Sequence, residues 1–361
     1  MSRSLDKAES LRRLVGWFLL AVAGCAVSLT PDPTPPLIPP PGSTTDADLF
    51  EAMVKGVREG GSYYDVTHKA LINRGYPSRS IFNWRTPTLT WILASLPGAS
   101  WGKGLLAVLA GSTFVLLIVE LSKALGAFPA VVGGFALLGS LAWFLGEKPY
   151  LFTDTWSGIL IALSMVLITR GRIVTGVFAG ILALGFRELA MPYVLGSFGY
   201  AIWKRQRNEA VAWAVAMALY VVLMAWHASE VLGRLGDADQ LIPGGWVRFG
   251  GIRFLLVTSQ MNLFLMTAPL AATVLYLSTA ILGLYRCDKE LGRRAGMTLG
   301  LYLVAFSIVG APFNFYWGLI TAPLIAIGFT HGIEILPKLV DKALSKPASI
   351  LEISSRVGQN T

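Results

Sequence analysis

Three acidic residues lie within a few positions of one another in the first part of the chain: Asp46, Asp48 and Glu51. They belong to a polar stretch, residues 31–85, that separates apolar segments. A carboxylate can remove a proton from a hydroxyl group, an aromatic ring can stack on a sugar, and a cation can bind a phosphate. This stretch is therefore our first candidate site, for a charged, sugar-like or phosphorylated substrate. Its aromatic and basic residues are Tyr63, Tyr64, His68, Arg74, Tyr76, Arg79, Trp84 and Arg85.

The composition is that of an integral membrane protein. The chain has 361 residues, of which 54% are hydrophobic and 14% charged, and its mean hydropathy is +0.60. Soluble domains contain about 25% charged residues. The two cysteines, Cys25 and Cys287, and the three histidines are isolated from one another. The sequence therefore predicts neither a disulfide framework nor a Cys- or His-based metal site.

Apolar segments of the length that crosses a bilayer recur along the chain. They predict an all-α fold, a polytopic transmembrane helix bundle of about ten spans that forms a single membrane domain, residues 1–361. The first span fits an uncleaved anchor better than a signal peptide, because no small-x-small cleavage site precedes Pro31. Thr86–Leu96 is too short to span and predicts an interfacial or re-entrant helix. The predicted spans are Leu14–Leu29, Gly104–Leu121, Phe128–Leu145, Trp156–Thr169, Ile173–Phe186, Met191–Trp203, Ala210–Ala225, Phe264–Tyr285, Met297–Ala311 and Tyr316–Gly332.

The distribution of Lys and Arg predicts the orientation. If the N-terminus is cytoplasmic, the inner short loops carry about twice as many basic residues as the outer ones. This places both termini in the cytoplasm of a multi-pass protein of the cell inner membrane, residues 31–97 in a first extracytoplasmic loop, and residues 333–361 in a cytoplasmic tail. The same bias accounts for the net charge of +9 without a nucleic-acid partner.

The extracytoplasmic loop itself carries helix signals. Thr45 and Asp46 can cap a helix, and Leu49, Met53 and Val57 follow at helical spacing. We predict an amphipathic helix on the outer membrane surface that ends at Gly60-Gly61. On the same side, the sequence leaves almost no loop around Arg187 and Glu188. Ionisable residues at membrane depth usually face a cavity or a partner, so this pair is a further candidate for the site.

The order of these features resembles that of the GT-C glycosyltransferases, polytopic enzymes with a large outer loop after the first span. Asp46-Ala47-Asp48-Leu49-Phe50 is similar to the Asp-x-x-x-Tyr segment of their polyprenyl-phosphate-mannose-dependent members, with Phe50 in place of Tyr. Tyr76-Pro77 and Arg85-Thr86-Pro87 resemble the proline-containing start of the helix that closes the loop. The resemblance covers residues 14–121 by motif and the remainder by topology alone.

The resemblance implies an inverting glycosyltransferase that takes a sugar from a polyprenyl-phosphate-linked donor. Asp46 is the implied general base, with Asp48 as the alternative. The acceptor is a glycan, a lipid or a protein, and membrane lipids are further partners. No metal ligand is assigned, although two neighbouring acids would suit a divalent cation. The implied donor-phosphate ligands are Arg187, Arg85 and Arg253, and the implied substrate-binding residues are Glu188, Tyr64, His68, Asp154, Tyr316 and Trp317.

Structural roles compete with these assignments. Asp46 could only cap its helix, Arg187 and Glu188 could only pair with each other, and Glu120 could pair with Lys123 at a helix end. Two other functions stay open. An O-antigen-type polymerase would ordinarily carry its major loop late in the chain. A lipid or glycolipid transporter or flippase would place polar residues along a path at mid-membrane and show internal symmetry.

Overall fold

The described part of the chain is all-helical, as predicted. The computed structural model describes residues 2–28, 45–241 and 249–345, and these residues form fourteen α helices and no β strand. Short 3-10 turns join several of them. The helices are α1 (Ser2–Ser28), α2 (Asp46–Arg58), α3 (Tyr63–Asn73), α4 (Thr88–Ser95), α5 (Ala99–Leu125), α6 (Ala127–Leu141), α7 (Thr153–Thr169), α8 (Ile173–Phe186), α9 (Met191–Trp203), α10 (Arg207–Leu232), α11 (Gly251–Ser259), α12 (Leu270–Leu284), α13 (Glu290–Ile308) and α14 (Gly318–Leu344).

Within the described residues, four helical segments are long and apolar enough to cross a membrane. They are α5, α6 with the 3-10 turn that follows it, α10, and α14 with the turn that precedes it. Large apolar side chains such as Val115, Phe135 and Val222 point outward from α5, α6 and α10, as lipid-facing side chains do. The prediction of ten spans is thus supported for these four segments, and the other six stay predictions.

Helix α14 is the central helix of the bundle. In its most apolar stretch 72% of the residues are buried, against 22% in α10, and it packs on α12, α6, α7, α1 and α13. Glycines allow the closest of these approaches, as in membrane helix pairs generally. A Cβ atom added to Gly283 of α12 would lie closer than 3.0 Å to the backbone of Gly328 and Gly332 in α14. The α12–α14 contact therefore tolerates no side chain at Gly283.

Gly283→Ala should destabilise the bundle for this reason. We expect the free energy of unfolding to fall by about 1–3 kcal/mol, the usual cost of overpacking a well-packed contact. Gly300→Ala in α13 is the matched control, because a Cβ there meets nothing within 4 Å and alanine is the better helix former by about 1 kcal/mol. Thermal unfolding of the two purified variants in one detergent checks the prediction, and equal melting temperatures would contradict it.

The two ends of the bundle differ. One carries α2–α4 and the α6–α7 and α8–α9 turns, and we call it the loop end. The other carries the start of α1 and the end of α14, where the Lys7 ammonium donates to the Ser345 carbonyl at 2.9 Å, and we call it the terminal end. Both described ends of the chain thus lie together, while the side of a membrane that they face stays a prediction.

The predicted amphipathic helix exists as α2, but it lies against protein. Thr45 is its N-cap and forms a capping box with Asp48. Leu49 and Met53 are buried against Tyr63, Leu71 and other residues of α3 and the following segment. The apolar stripe therefore packs inside the loop, and α4, the short helix predicted over Thr86–Leu96, covers another side of α2.

Several predicted boundaries were wrong. Helix α10 continues to Leu232, so His227 and Glu230 lie on a helix and not in the predicted loop after Ala225. Helix α12 begins at Leu270 and not at Phe264, because Pro269 disfavours helical backbone in the residue before it. Helix α14 continues to Leu344, into the predicted tail.

The predicted pairing of Glu120 with Lys123 was also wrong. The Glu120 carboxylate pairs with Arg170 at 3.1 Å, which ties the end of α5 to the end of α7. Residues three apart on one helix can pair, but the α7 arginine reaches the carboxylate from the neighbouring helix.

Candidate functional site

Four charged residues form a continuous chain of ion pairs at the loop end, which we call the acid–arginine cluster. Arg187 Nε donates to Asp154 Oδ1 at 3.0 Å, and Arg187 Nη1 donates to Glu188 Oε1 at 2.6 Å. The same Glu188 oxygen accepts from Arg85 Nη1 at 3.4 Å. The cluster thus joins the first loop to the apolar bundle.

The packing of α7 against α8 explains how the cluster forms. Asp154 lies in the first turn of α7, where the helix dipole favours an acid. Arg187 follows the last residue of α8 and Glu188 opens the turn into α9, so an antiparallel α7–α8 pair brings all three to one end. The side chains of Asp154 and Arg187 are each 1% exposed. Two charges so fully removed from water are tolerable only as a pair.

Arg85 is held in a strained conformation beside this pair. Its φ of +59° lies in the left-handed region, which costs a residue other than glycine about 1–3 kcal/mol. The Tyr63 hydroxyl donates to the carbonyls of Trp84 and Arg85, and the Thr86 hydroxyl donates to the carbonyl of Gly185. These bonds fix the strained turn against α8 and aim the guanidinium group at Glu188.

The guanidinium group of Arg85 has donor capacity left. Within the described part of the chain its Nε is buried and has no hydrogen-bond partner. Burial lowers the pKa of Arg85, but the nearby carboxylates, Glu188 above all, more than compensate, and the pKa lies above its ordinary value. Arg85 is therefore a permanent cation with an unused donor, as an anion site requires.

Asp46 lies next to the cluster and is held by a phenol. The Tyr76 hydroxyl donates to Asp46 Oδ1 at 2.8 Å, and Tyr316 is close enough to interact with this carboxyl group electrostatically. No Lys or Arg among residues 45–241 and 249–345 lies within ion-pair distance of Asp46. The carboxylate is thus oriented by a phenol and has no direct ion pair with a described cation.

Asp48 is engaged in a different way. Its Oδ2 accepts from the backbone N–H and the hydroxyl of Thr45, at 2.9 and 2.7 Å, and its Oδ1 accepts from Lys148 Nζ at 2.6 Å. Lys148 is the main reason that the pKa of Asp48 lies well below its usual value. A carboxylate with so low a pKa is a weak base. Asp48 caps α2 and ties it to the α6–α7 turn, whereas the competing role of Asp46 as the N-cap falls to Thr45.

Tyr64 and His68 lie in a neighbouring aromatic cluster. The Tyr64 hydroxyl hydrogen-bonds His227 Nδ1 at 3.0 Å, and His68 Nε2 contacts Asp239 Oδ1 at the same distance. His68 also stacks on Trp84, with ring centroids 5.0 Å apart. Their polar contacts thus join α3 to α10 and to the segment after it, while Trp84 connects this packing to Arg85.

The remaining predicted residues lie in the bundle, one in the turn before α14 and one on α11. Trp317 precedes α14, and its ring lies 5.9 Å from the guanidinium carbon of Arg187. The side-chain nitrogen of Asn314, in the same turn, is buried and has no hydrogen-bond partner among the described residues. Arg253 lies on α11, and its participation in the site stays a prediction.

Two residues of the candidate stretch, Arg74 and Tyr76, were given no role from the sequence. Tyr76 holds Asp46, and Arg74 is close enough to influence Tyr76 electrostatically. Arg74 Nε is buried without a hydrogen-bond partner among the described residues. Both flank Gly75, whose φ of +68° makes the turn after α3. The sequence signal that could have indicated these two residues was an arginine and a tyrosine on either side of a turn glycine in the acidic loop.

The described residues contain no group of three or more His, Cys, Asp or Glu side chains arranged to hold a metal ion. The fold and the site define a protein whose described part is all-helical, with four potential membrane-spanning segments and a cluster of buried acids and arginines at one end. No protein-family model, curated protein or solved structure matches this chain.

Proposed function

We propose that this protein is a membrane glycosyltransferase that moves a sugar from a polyprenyl-phosphate donor to an acceptor hydroxyl at the loop end. The supporting observation is Asp46, a carboxylate held by Tyr76 without a cationic partner among the described residues, beside Arg85 with its unused donor. In this proposal the loop end is extracytoplasmic, both termini are cytoplasmic, and ten helices cross the cell inner membrane.

The reaction is a single displacement with inversion. Asp46 accepts the proton of the acceptor hydroxyl while that oxygen forms a bond to the anomeric carbon of the donor sugar. The bond from the anomeric carbon to the phosphate oxygen breaks, and the polyprenyl phosphate leaves with the electron pair. The negative charge that grows on the leaving phosphate needs fixed cations nearby.

Arg85 and Arg74 are the arginines best placed for the leaving phosphate. Each has a buried Nε without a hydrogen-bond partner among the described residues, and both lie in the loop that carries Asp46. Arg187, by contrast, already donates to two carboxylates. We propose that Arg187 is a positioning residue that holds Glu188, which in turn holds Arg85, and its direct contact with phosphate stays a prediction.

The proposal is tested with full-length protein in proteoliposomes. A panel of polyprenyl-phosphate sugars, labelled in the sugar, is supplied together with membrane-extracted acceptors. We expect labelled product and one equivalent of released polyprenyl phosphate per sugar transferred. Movement of intact labelled donor across the bilayer with no release of polyprenyl phosphate would instead indicate a transporter, and would overturn the proposal.

Arg85→Gln should lower kcat/KM for the donor by about a hundredfold, because removal of one donor to a developing charge costs about 10²–10³. Arg79→Gln is the matched control: Arg79 belongs to the same loop but is exposed, and we expect less than a twofold change. Donor titrations of both variants give the measurement. A normal kcat/KM for Arg85→Gln would remove Arg85 from the proposed phosphate site.

A further inference from the structure

A groove runs between α1 and α12 at the terminal end, far from the acid–arginine cluster. Its volume is about 530 Å³. One part of its lining is basic and another part is apolar. Residues that line it include Arg12, Arg13, Gly16, Leu20, Ile281 and Tyr285.

The basic part has an excess of positive charge. It contains Arg12, Arg13 and Arg286 but only one acid, Glu9. Glu9 Oε1 accepts from Arg286 Nη1 at 2.7 Å and pairs with Arg13 Nη2 at 3.4 Å. Arg12 is exposed and has no ion-pair partner among the side chains that the structure describes, those of residues 7–26, 45–241 and 249–345. One carboxylate thus serves two guanidinium groups, and a third has none in the described structure.

An aromatic ring orients two of these cations. The guanidinium carbons of Arg13 and Arg286 each lie 5.5 Å from the centre of the Tyr285 ring. Arg13 Nε is also buried without a hydrogen-bond partner among the described residues. Cation–π contacts of this kind hold an arginine in place, so the basic part is partly pre-formed for an anion.

The apolar part continues along α1 toward the middle of the bundle. Leu20 follows Arg12 by eight residues, or about 12 Å along a helix, and its side chain is 49% exposed. A Cβ atom added to Gly16 would meet nothing within 4 Å, so the groove is open there. An apolar channel that begins at arginines matches the shape of a lipid, with a charged head and a hydrocarbon tail.

We propose that this groove binds an anionic phospholipid, whose phosphate lies on Arg12 and Arg13 and one of whose acyl chains lies along Gly16 and Leu20. Basic grooves between membrane helices recognise lipid head groups in this way. A free phosphate would leave the apolar part of the groove empty, and an acidic peptide would place charged side chains against its apolar residues. This site is independent of the proposed glycosyltransferase function.

Native mass spectrometry of the full-length protein in detergent tests the proposal. Phosphatidylglycerol and phosphatidylcholine with identical acyl chains are titrated separately. We expect the wild type to bind phosphatidylglycerol at least tenfold more tightly. Arg12→Gln should weaken that binding about fivefold, as each surface arginine contributes about 1 kcal/mol to anionic lipid binding. Arg172→Gln, an exposed arginine before α8, is the matched control and should have no effect.

A second variant tests the acyl-chain part. Gly16→Leu fills the open groove without a backbone clash, and should abolish binding of phosphatidylglycerol while leaving every arginine in place. Inorganic phosphate at millimolar concentration should not displace the lipid. Equal affinity for the two lipids, unchanged binding by either Arg12→Gln or Gly16→Leu, or displacement by phosphate would each overturn the proposal.

Discussion

Asp46→Asn is expected to reduce sugar transfer by about a thousandfold or more. An asparagine oxygen still accepts the hydrogen bond that Tyr76 donates to Asp46 Oδ1 at 2.8 Å, so the loop keeps its structure. The amide cannot take a proton from the acceptor, and a general base contributes about 10²–10⁴ to the rate. Single-turnover transfer from labelled polyprenyl-phosphate sugar, measured in proteoliposomes, gives the rate ratio.

Asp48→Asn is the matched control, two residues away on the same helix. Loss of the carboxylate weakens the capping box and the contact with Lys148, so we expect a lower melting temperature but a transfer rate within about tenfold of the wild type. The opposite result, an active Asp46→Asn and an inactive Asp48→Asn, would move the base to Asp48. Full activity of the double variant would refute the acid–base scheme.

Local signals were sufficient to predict two of the three helices of the loop, whereas α3 was not predicted. The caps and apolar spacing around Thr45 and Leu49 predicted α2, and the short apolar run after Pro87 predicted α4. Both rest on contacts between near neighbours in sequence. The surface that each apolar stripe covers is a tertiary property, so the sequence did not indicate that α2 packs on α3 and α4. Its place on the membrane surface stays a prediction.

The choice between the two acids could not be made from the sequence. Asp46 and Asp48 have the same local surroundings, and they differ in partners that are distant along the chain. Tyr76 is 30 residues from Asp46 and Lys148 is 100 residues from Asp48. Only the packing of the α6–α7 turn against α2 brings Lys148 to Asp48. Asp46 instead accepts a hydrogen bond from Tyr76.

The acid–arginine cluster was predictable only in part. The position of Arg187 and Glu188 between two apolar segments indicated that each has a polar partner, and their pairing with each other was among the predictions. The second partner of Arg187, Asp154, is 33 residues away and becomes a neighbour through the α7–α8 pairing. Charge bias placed these residues on one side, but it carries no information about which acid each arginine contacts.

The pair of Asp154 and Arg187 gives the largest expected effect on stability. Arg187→Met leaves Asp154 as a buried carboxylate without its cation, since both side chains are 1% exposed. Removal of one partner of a buried ion pair costs about 3–5 kcal/mol, and we expect a loss of this size in the free energy of unfolding. The half-buried pair of Glu120 and Arg170, whose side chains are each about a quarter exposed, is the control, where Arg170→Met should cost less than Arg187→Met, about 1 kcal/mol.

The double variant Asp154→Leu/Arg187→Met separates stability from function. Replacement of a whole buried pair by apolar side chains is often neutral for stability, so we expect a nearly normal melting temperature. The coupling energy of the double-mutant cycle should then be at least as large as the loss of about 3–5 kcal/mol expected for Arg187→Met alone. Transfer should nevertheless stay low, because Glu188 has lost the arginine that donates to it at 2.6 Å and no longer holds Arg85 in place. A stable double variant with normal transfer would show that the pair only supports the fold, whereas additive losses of stability would show that the two charges do not depend on each other.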